Sequence, residues 1–194
     1  HLLLTILCEN KPGYARKQFF TRAYKARNTK KNKEMRGYAT MIKVLFICHG
    51  NICRSTMAQF IFQHMVNTRG LAAKFHIDSA ATSREEIGNG PHYGTVNKMR
   101  EVGIPILPHR ARQMTKSDYK EYDYLIGMDE WNIRNMKRIA GEDSEGKIHM
   151  LLEFSDEPRA IADPWYTGNF DVTYADVVEG CEAFFEYLKE QGKI

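Results

Sequence analysis

The chain has four cysteines and six prolines in 194 residues. Cys8, Cys48, Cys53 and Cys181 are spaced too unevenly for a secreted disulfide framework or a zinc-ligand pattern. No internal repeat and no second globular domain is visible. Long hydrophobic runs are also absent. Leu2-Leu3-Leu4-Thr5-Ile6-Leu7 is far too short to span a bilayer. No basic region precedes it, and Leu7 stands where a signal cleavage site needs a small residue. Stable membrane insertion is therefore not expected. A strong charge of one sign is missing from most of the chain. Residues 1–40 hold ten Lys/Arg and two Glu, whereas the rest holds 18 Lys/Arg and 22 Asp/Glu. The overall net charge of +4 thus belongs to the extension, and no nucleic-acid partner follows from it.

Residues 9–40 run from Glu9-Asn10-Lys11 through Lys30-Lys31-Asn32-Lys33 without an apolar period. That composition reads as disordered or weakly helical basic sequence. Met41 immediately precedes the first expected strand and is read as a natural start, with 1–40 as upstream or accessory sequence. The Arg- and Lys-rich composition invites a mitochondrial presequence reading, but Met41 beside the first strand favours the natural start; a basic arm for a membrane surface or a partner is the sharper alternative. Residues 41–194 have the length of one domain.

Within that domain the informative stretch is Cys48-His49-Gly50-Asn51-Ile52-Cys53-Arg54-Ser55. The apolar run Val44-Leu45-Phe46-Ile47 leads into it, and Met57, Ala58, Ile61, Met65 and Val66 follow at helical spacing. A thiol therefore ends a strand where backbone N–H groups gather at a helix N-terminus, an arrangement that binds anions. That field favours the thiolate form, and Arg54 offers a fork matched to phosphate oxygens. The spacing alone is weak: four cysteines and thirteen arginines give about 0.3 such matches by chance. The bland alternative is a buried Cys48 with Arg54 on a solvated first turn.

A second motif, Asp163-Pro164-Trp165-Tyr166, sets a carboxylate on a proline-fixed turn beside two aromatics. A thiolate that accepts a phosphoryl group must expel an alkoxide or phenoxide, which needs a proton donor. Asp163 has the chemistry to supply it. Standing alone, the motif would be a simple Asp-Pro turn.

Four β-rich runs, Val44–Cys48, Phe75–Ser79, Tyr122–Met128 and Ile148–Leu152, alternate with helical patterns near 55–69, 91–102, 129–140 and 171–190. The expected fold is α/β: one domain, a four-stranded parallel sheet with helices on both faces, and the phosphate-binding loop after the first strand. Ser83–Tyr93 is expected to be a loop rimming the cleft. Cys181 falls with Tyr174, Val178, Phe185 and Leu188 on one helical stripe and is read as core.

Cys48–Ser55 followed by Asp163–Tyr166, in this order, resembles the low-molecular-weight protein tyrosine phosphatases. Ile77-Asp78-Ser79-Ala80, His109-Arg110-Ala111-Arg112-Gln113 and Met128-Asp129-Glu130 agree with that resemblance. It implies Cys48 as nucleophile, Arg54 as phosphate clamp, and Asp163 as general acid and then base. It implies a phosphate cradle of residues 49–54, namely His49, Gly50, Asn51, Ile52, Cys53 and Arg54. It further implies a strained Asn51 supported by hydrogen bonds from Ser79 and His109, Ser55 donating to the Cys48 sulfur, and Asp129 orienting Arg54. Trp165 and Tyr166 would wall the cleft for an aryl phosphate. Taken alone, His109 would be a surface-loop histidine and Asp129 a helix N-cap.

The implied substrates are phosphotyrosine-containing proteins, and the chain is read as a monomer. No metal or cofactor is expected, since the nest and Arg54 neutralise the charge. An arsenate reductase of the same fold would relay oxidation through a further cysteine pair, and none occurs between Cys53 and Cys181. In protein-arginine phosphatases a threonine typically stands at the position of Ile52, so isoleucine points to an aryl ester. A non-catalytic phosphate-binding module would be expected to lose the thiol, the arginine or the acid, and all three are present. In the rim loop this chain has Arg84-Glu85-Glu86 where mammalian-type members often carry an aromatic. Only one tyrosine follows Pro164-Trp165, so a paired-tyrosine regulatory site is not supported. Cys53 beside Cys48 is read as a redox partner, which with the need for a reduced thiol points to the cytoplasm.

Overall fold

The computed structural model describes residues 41–194. The 1–40 extension, and Cys8 with it, lies outside the described residues. Strand β1 (Ile42–Cys48) is buried along its whole length except at Lys43, which explains why it reads as a continuous apolar run rather than an alternation. Strands β2 (Phe75–Ala81), β3 (Tyr124–Gly127) and β4 (Ile148–Met150) complete one parallel sheet in the order β2-β1-β3-β4. Register pairs Phe46 with Ser79 on one side and with Ile126 on the other. Among the described residues there are six α-helices: α1 (Arg54–Thr68), α2 (Tyr93–Glu101), α3 (Lys116–Glu121), α4 (Glu130–Ala140), α5 (Pro164–Thr167) and α6 (Phe170–Glu190).

The two-residue period of β1 sorts its side chains into two cores. Val44, Phe46 and Cys48 share one with Met57, Ala58 and Phe62 of α1 and with Val177, Cys181 and Phe184 of α6. Leu45 and Ile47 share the other with Tyr119 of α3 and with Met136 and Ala140 of α4. Phe62 meets Phe46 edge-on at 5.8 Å and lies 5.4 Å from Phe184, locking α1 between β1 and α6. Cys181 is fully buried among these groups, and burial pushes its thiol up. Among the described residues no helix is long and apolar enough to cross a membrane.

The expected elements are present, with boundaries moved by specific hydrogen bonds. The third strand begins at Tyr124 instead of Tyr122, because the Tyr122 N–H closes α3 by donating to the Asp118 carbonyl. It ends at Gly127, where the Met128 N–H turns to Asn132 Oδ1. The fourth strand stops at Met150, since Leu151–Phe154 winds into a 3₁₀ turn. The second strand gains two residues, Ala80 and Ala81, as Ala81 bonds to the Arg112 carbonyl. Helix α3 was not expected. It has only six residues, and the Thr115/Asp118 capping box starts it without an apolar period.

Candidate active site

The phosphate-type loop leaves β1 at its carboxyl end, where open parallel sheets bind ligands. Asn51 is the only non-glycine with positive φ among the described residues, at 59°. That left-handed conformation costs roughly 1 kcal/mol, and six hydrogen bonds offset it. Asn51 Nδ2 donates to Ser55 Oγ at 3.0 Å and to Ser79 Oγ at 2.9 Å, while Oδ1 accepts from the Arg112 N–H at 3.2 Å. Its carbonyl accepts from His109 Nε2 at 2.8 Å and from Thr56 Oγ1 at 3.1 Å. Its own N–H donates to Cys48 Sγ at 3.3 Å.

The Asn51 carbonyl can only accept, so His109 carries its hydrogen on Nε2. Burial pushes the His109 pKa below the ordinary histidine value, and the bond to Asn51 offsets this only in part. The ring is therefore neutral at pH 7. Ser79 departs from the expected direction: it accepts from Asn51 and spends its own hydrogen on Gln59 Oε1 at 2.6 Å.

Cys48 Sγ lies 3.1 Å from Ser55 Oγ. Ser55 does not cap α1, whose N-cap is Cys53 without a side-chain bond; it sits in the first turn and turns to the sulfur. No acidic residue occupies that first turn, so the positive end of α1 faces the loop uncompensated.

Arg54 is 2% exposed. Its Nη1 donates to Asp129 Oδ2 at 2.6 Å and to the Ile161 carbonyl at 3.1 Å, and its Nη2 donates to Asp163 Oδ2 at 2.5 Å. Nε is buried without a protein partner, which fits a group that meets an anion. Burial opposes the guanidinium charge, but negative charge on Cys48, Asp163 and Asp129 outweighs it and raises the Arg54 pKa. Asp129 meets both readings of its sequence. Oδ1 caps α4 through the Asn132 N–H at 2.7 Å while Oδ2 holds Arg54. Asp163 is built alike, with Oδ1 on the Trp165 N–H at 3.1 Å and Pro164 fixing the first residue of α5.

Cys48, Gly50 and Ile52 form the floor of one cleft with Cys53, and Asp163 forms its side. Trp165 and Tyr166 make one wall, and His49, Glu85 and Glu86 face the same space. Trp165 is backed edge-on by His92, itself stacked on Phe170 at 5.3 Å. A Cβ on Gly50 would stand 3.2 Å from Glu86 Cγ, so the rim loop packs closely on the phosphate loop. Cys53 is pushed up to about 12, by burial first and then by negative charge on Cys48 and Asp163. It is a protonated thiol on the same loop as Cys48.

Every sequence-predicted site residue falls in this cleft or directly behind it. Sequence reasoning missed Thr56, Gln59, the Ile161 carbonyl and the Arg112 N–H. Gln59 carried a signal, as a polar residue that turns out buried in α1 next to Phe60. The backbone groups carried none.

The family model for low molecular weight phosphotyrosine protein phosphatase matches residues 43–194. The low molecular weight protein-tyrosine-phosphatase YfkJ of Bacillus subtilis is 37% identical over 156 residues, covering 79% of this chain and 100% of that protein. The low molecular weight phosphotyrosine protein phosphatase of Gallus gallus is 41% identical over 148 residues, covering 74% and 93%. The YfkJ crystal structure aligns with a TM-score of 0.76 at 39% identity, covering 78% of this chain and 97% of that one. The Drosophila arginine phosphatase structure aligns with a TM-score of 0.70 at 29% identity, covering 76% and 98%. The chain belongs to the low molecular weight phosphotyrosine protein phosphatase family.

Proposed function

We propose that this chain is a protein-tyrosine phosphatase that hydrolyses aryl phosphate monoesters through a phosphocysteine. The observation that carries the reading is that Cys48 and Asp163 line one cleft with an aromatic wall, while the buried Arg54 donates to Asp163 from behind it. Cys48 attacks phosphorus as the thiolate, and the bond to the phenolic oxygen breaks as protonated Asp163 gives that oxygen its proton. Asp163, now a carboxylate, takes a proton from water. The water oxygen attacks phosphorus and the S–P bond breaks, releasing inorganic phosphate and the thiolate. Loop N–H groups and Arg54 stabilise the equatorial oxygens in both steps. Because Asp163 Oδ2 is held by Arg54 Nη2, an entering phosphate dianion competes for that donor and frees the acid to turn to the leaving group.

Ile52 lines the floor as an apolar side chain and Trp165 offers a ring face, which supports an aryl ester over a phosphoarginine. Catalysis belongs to residues 41–194 with 1–40 accessory, the protein substrates carry phosphotyrosine, the working form is a monomer, and a reducing cytoplasm keeps Cys48 active. Oxidation of Cys48 by peroxide to a sulfenic acid, followed by condensation with the Cys53 thiol and loss of water, gives a disulfide that added thiol reduces. Hydrolysis of p-nitrophenyl phosphate by the reduced protein, blocked by vanadate and unaffected by chelators, tests the activity. No turnover of that ester would leave a phosphate-binding module instead.

A further inference from the structure

Arg112 lies outside the cleft, on the stretch between α2 and α3 that forms neither helix nor strand apart from a single bridge of Gln113 to Ala81. Its backbone and its side chain face different ways. The N–H donates to Asn51 Oδ1 at 3.2 Å, and the carbonyl accepts from the Ala81 N–H at 2.7 Å. The guanidinium reaches Asp78 Oδ2 from Nη2 at 3.0 Å and from Nε at 3.3 Å, and Asp118 Oδ2 from Nη1 at 3.1 Å. Both carboxylates are themselves held. Tyr122 donates to Asp78 at 3.3 Å, and the Thr115 N–H and Oγ1 donate to Asp118 at 2.6 and 2.9 Å.

Asp78 and Ser79 are neighbours on β2 and project to opposite faces of the sheet. Ser79 takes the nitrogen end of the Asn51 amide directly. Asp78 reaches the oxygen end at one remove, through Arg112. The two ends of one amide are thus fixed by adjacent residues of one strand. Asn51 in turn aims its own N–H at the Cys48 sulfur.

We infer that Arg112 is a positioning residue for the phosphate loop: clamped between Asp78 and Asp118, it sets the backbone donor that fixes Asn51 and so the donor at the nucleophile. The inference rests on the reading of Cys48 as nucleophile. An ion pair that served stability alone would move the melting temperature and leave turnover of the folded enzyme untouched. The guanidinium fork meets two carboxylates at once, which an ammonium does less well.

The test is a mutant cycle on the full chain with p-nitrophenyl phosphate, at a temperature well below melting for every variant. Arg112→Met is expected to lower kcat about 10- to 100-fold, the scale of a displaced reacting group, with a smaller change in KM. Arg112→Lys should recover part of that loss. In an Asn51→Ala background, Arg112→Met should lower kcat little further, because both act through one group. Losses that multiply in the double variant, or a normal kcat with only a lower melting temperature, overturn the inference. If Arg112→Met does not fold, the same cycle with Arg112→Lys decides it. An inactive wild type overturns the nucleophile reading and the inference with it, whereas an active wild type with multiplying losses overturns the inference alone.

Discussion

Behind the floor of the cleft, Asn51 alone exchanges six hydrogen bonds with Cys48, Ser55, Thr56, Ser79, His109 and Arg112. At the rim, Trp165 and Tyr166 are 57% and 83% exposed, and His49 has one side-chain partner, the exposed Glu85, at 3.1 Å. The floor is held from several directions at once, so it has one geometry. These rim side chains have few partners, and an exposed ion pair there is worth about 0–1 kcal/mol. The division fits a site whose chemistry is fixed while its protein partner is chosen at the edge.

The largest effect belongs to the floor. Cys48→Ser should lower kcat at least about 10⁴-fold, as expected when a unit nucleophile is removed; residual turnover within tenfold of wild type would place the chemistry elsewhere. Asp163→Ala sits between floor and rim, and its effect should depend on the leaving group. Steady-state rates should fall about 10²- to 10³-fold for phenyl phosphate but far less for esters with acidic phenols. Equal losses would remove Asp163 from the acid role.

Peroxide treatment followed by dithiothreitol should restore activity in wild type and much less in Cys53→Ser. Full recovery in the variant would end the redox pairing. His109 tests the floor through stability. Its folded pKa is depressed, so the unfolded chain takes up the proton first as pH falls. The stability present above the ordinary histidine value is lost as pH drops through it, and the loss ceases below the folded value. Urea midpoints between pH 7 and 5 should therefore fall more steeply in wild type than in His109→Gln; parallel curves would contradict a buried neutral ring. At the rim, His49→Gln should change kcat/KM by no more than about fivefold, the equivalent of an exposed pair. A larger change would erase the contrast between floor and rim.

Much of this was legible in sequence because it is local. The apolar run into Cys48, the helical spacing after Ser55 and the Asp-Pro corner each lie within a few residues, and the resemblance joined them in order. The dual use of Asp129 was not legible: a cap and an arginine partner look alike in sequence, and each carboxylate oxygen takes one role. The direction of the Ser79 bond was misread because Gln59, one turn along α1, claims its hydrogen. Helix α3 escaped notice because two cap residues start it, without a stripe of apolar ones. The Arg112 N–H contributes through the backbone, and any residue but proline has that group.

The alternation of β2 also limits where this chain can change in length. Ser79 pairs in register with Phe46 and faces the loop, while Asp78 faces Arg112. Inserting or deleting one residue within Phe75–Ala81 would exchange their faces and send a carboxylate toward the phosphate loop. Inserting two would restore the faces but slide them about 7 Å along the strand. The second strand therefore keeps its length.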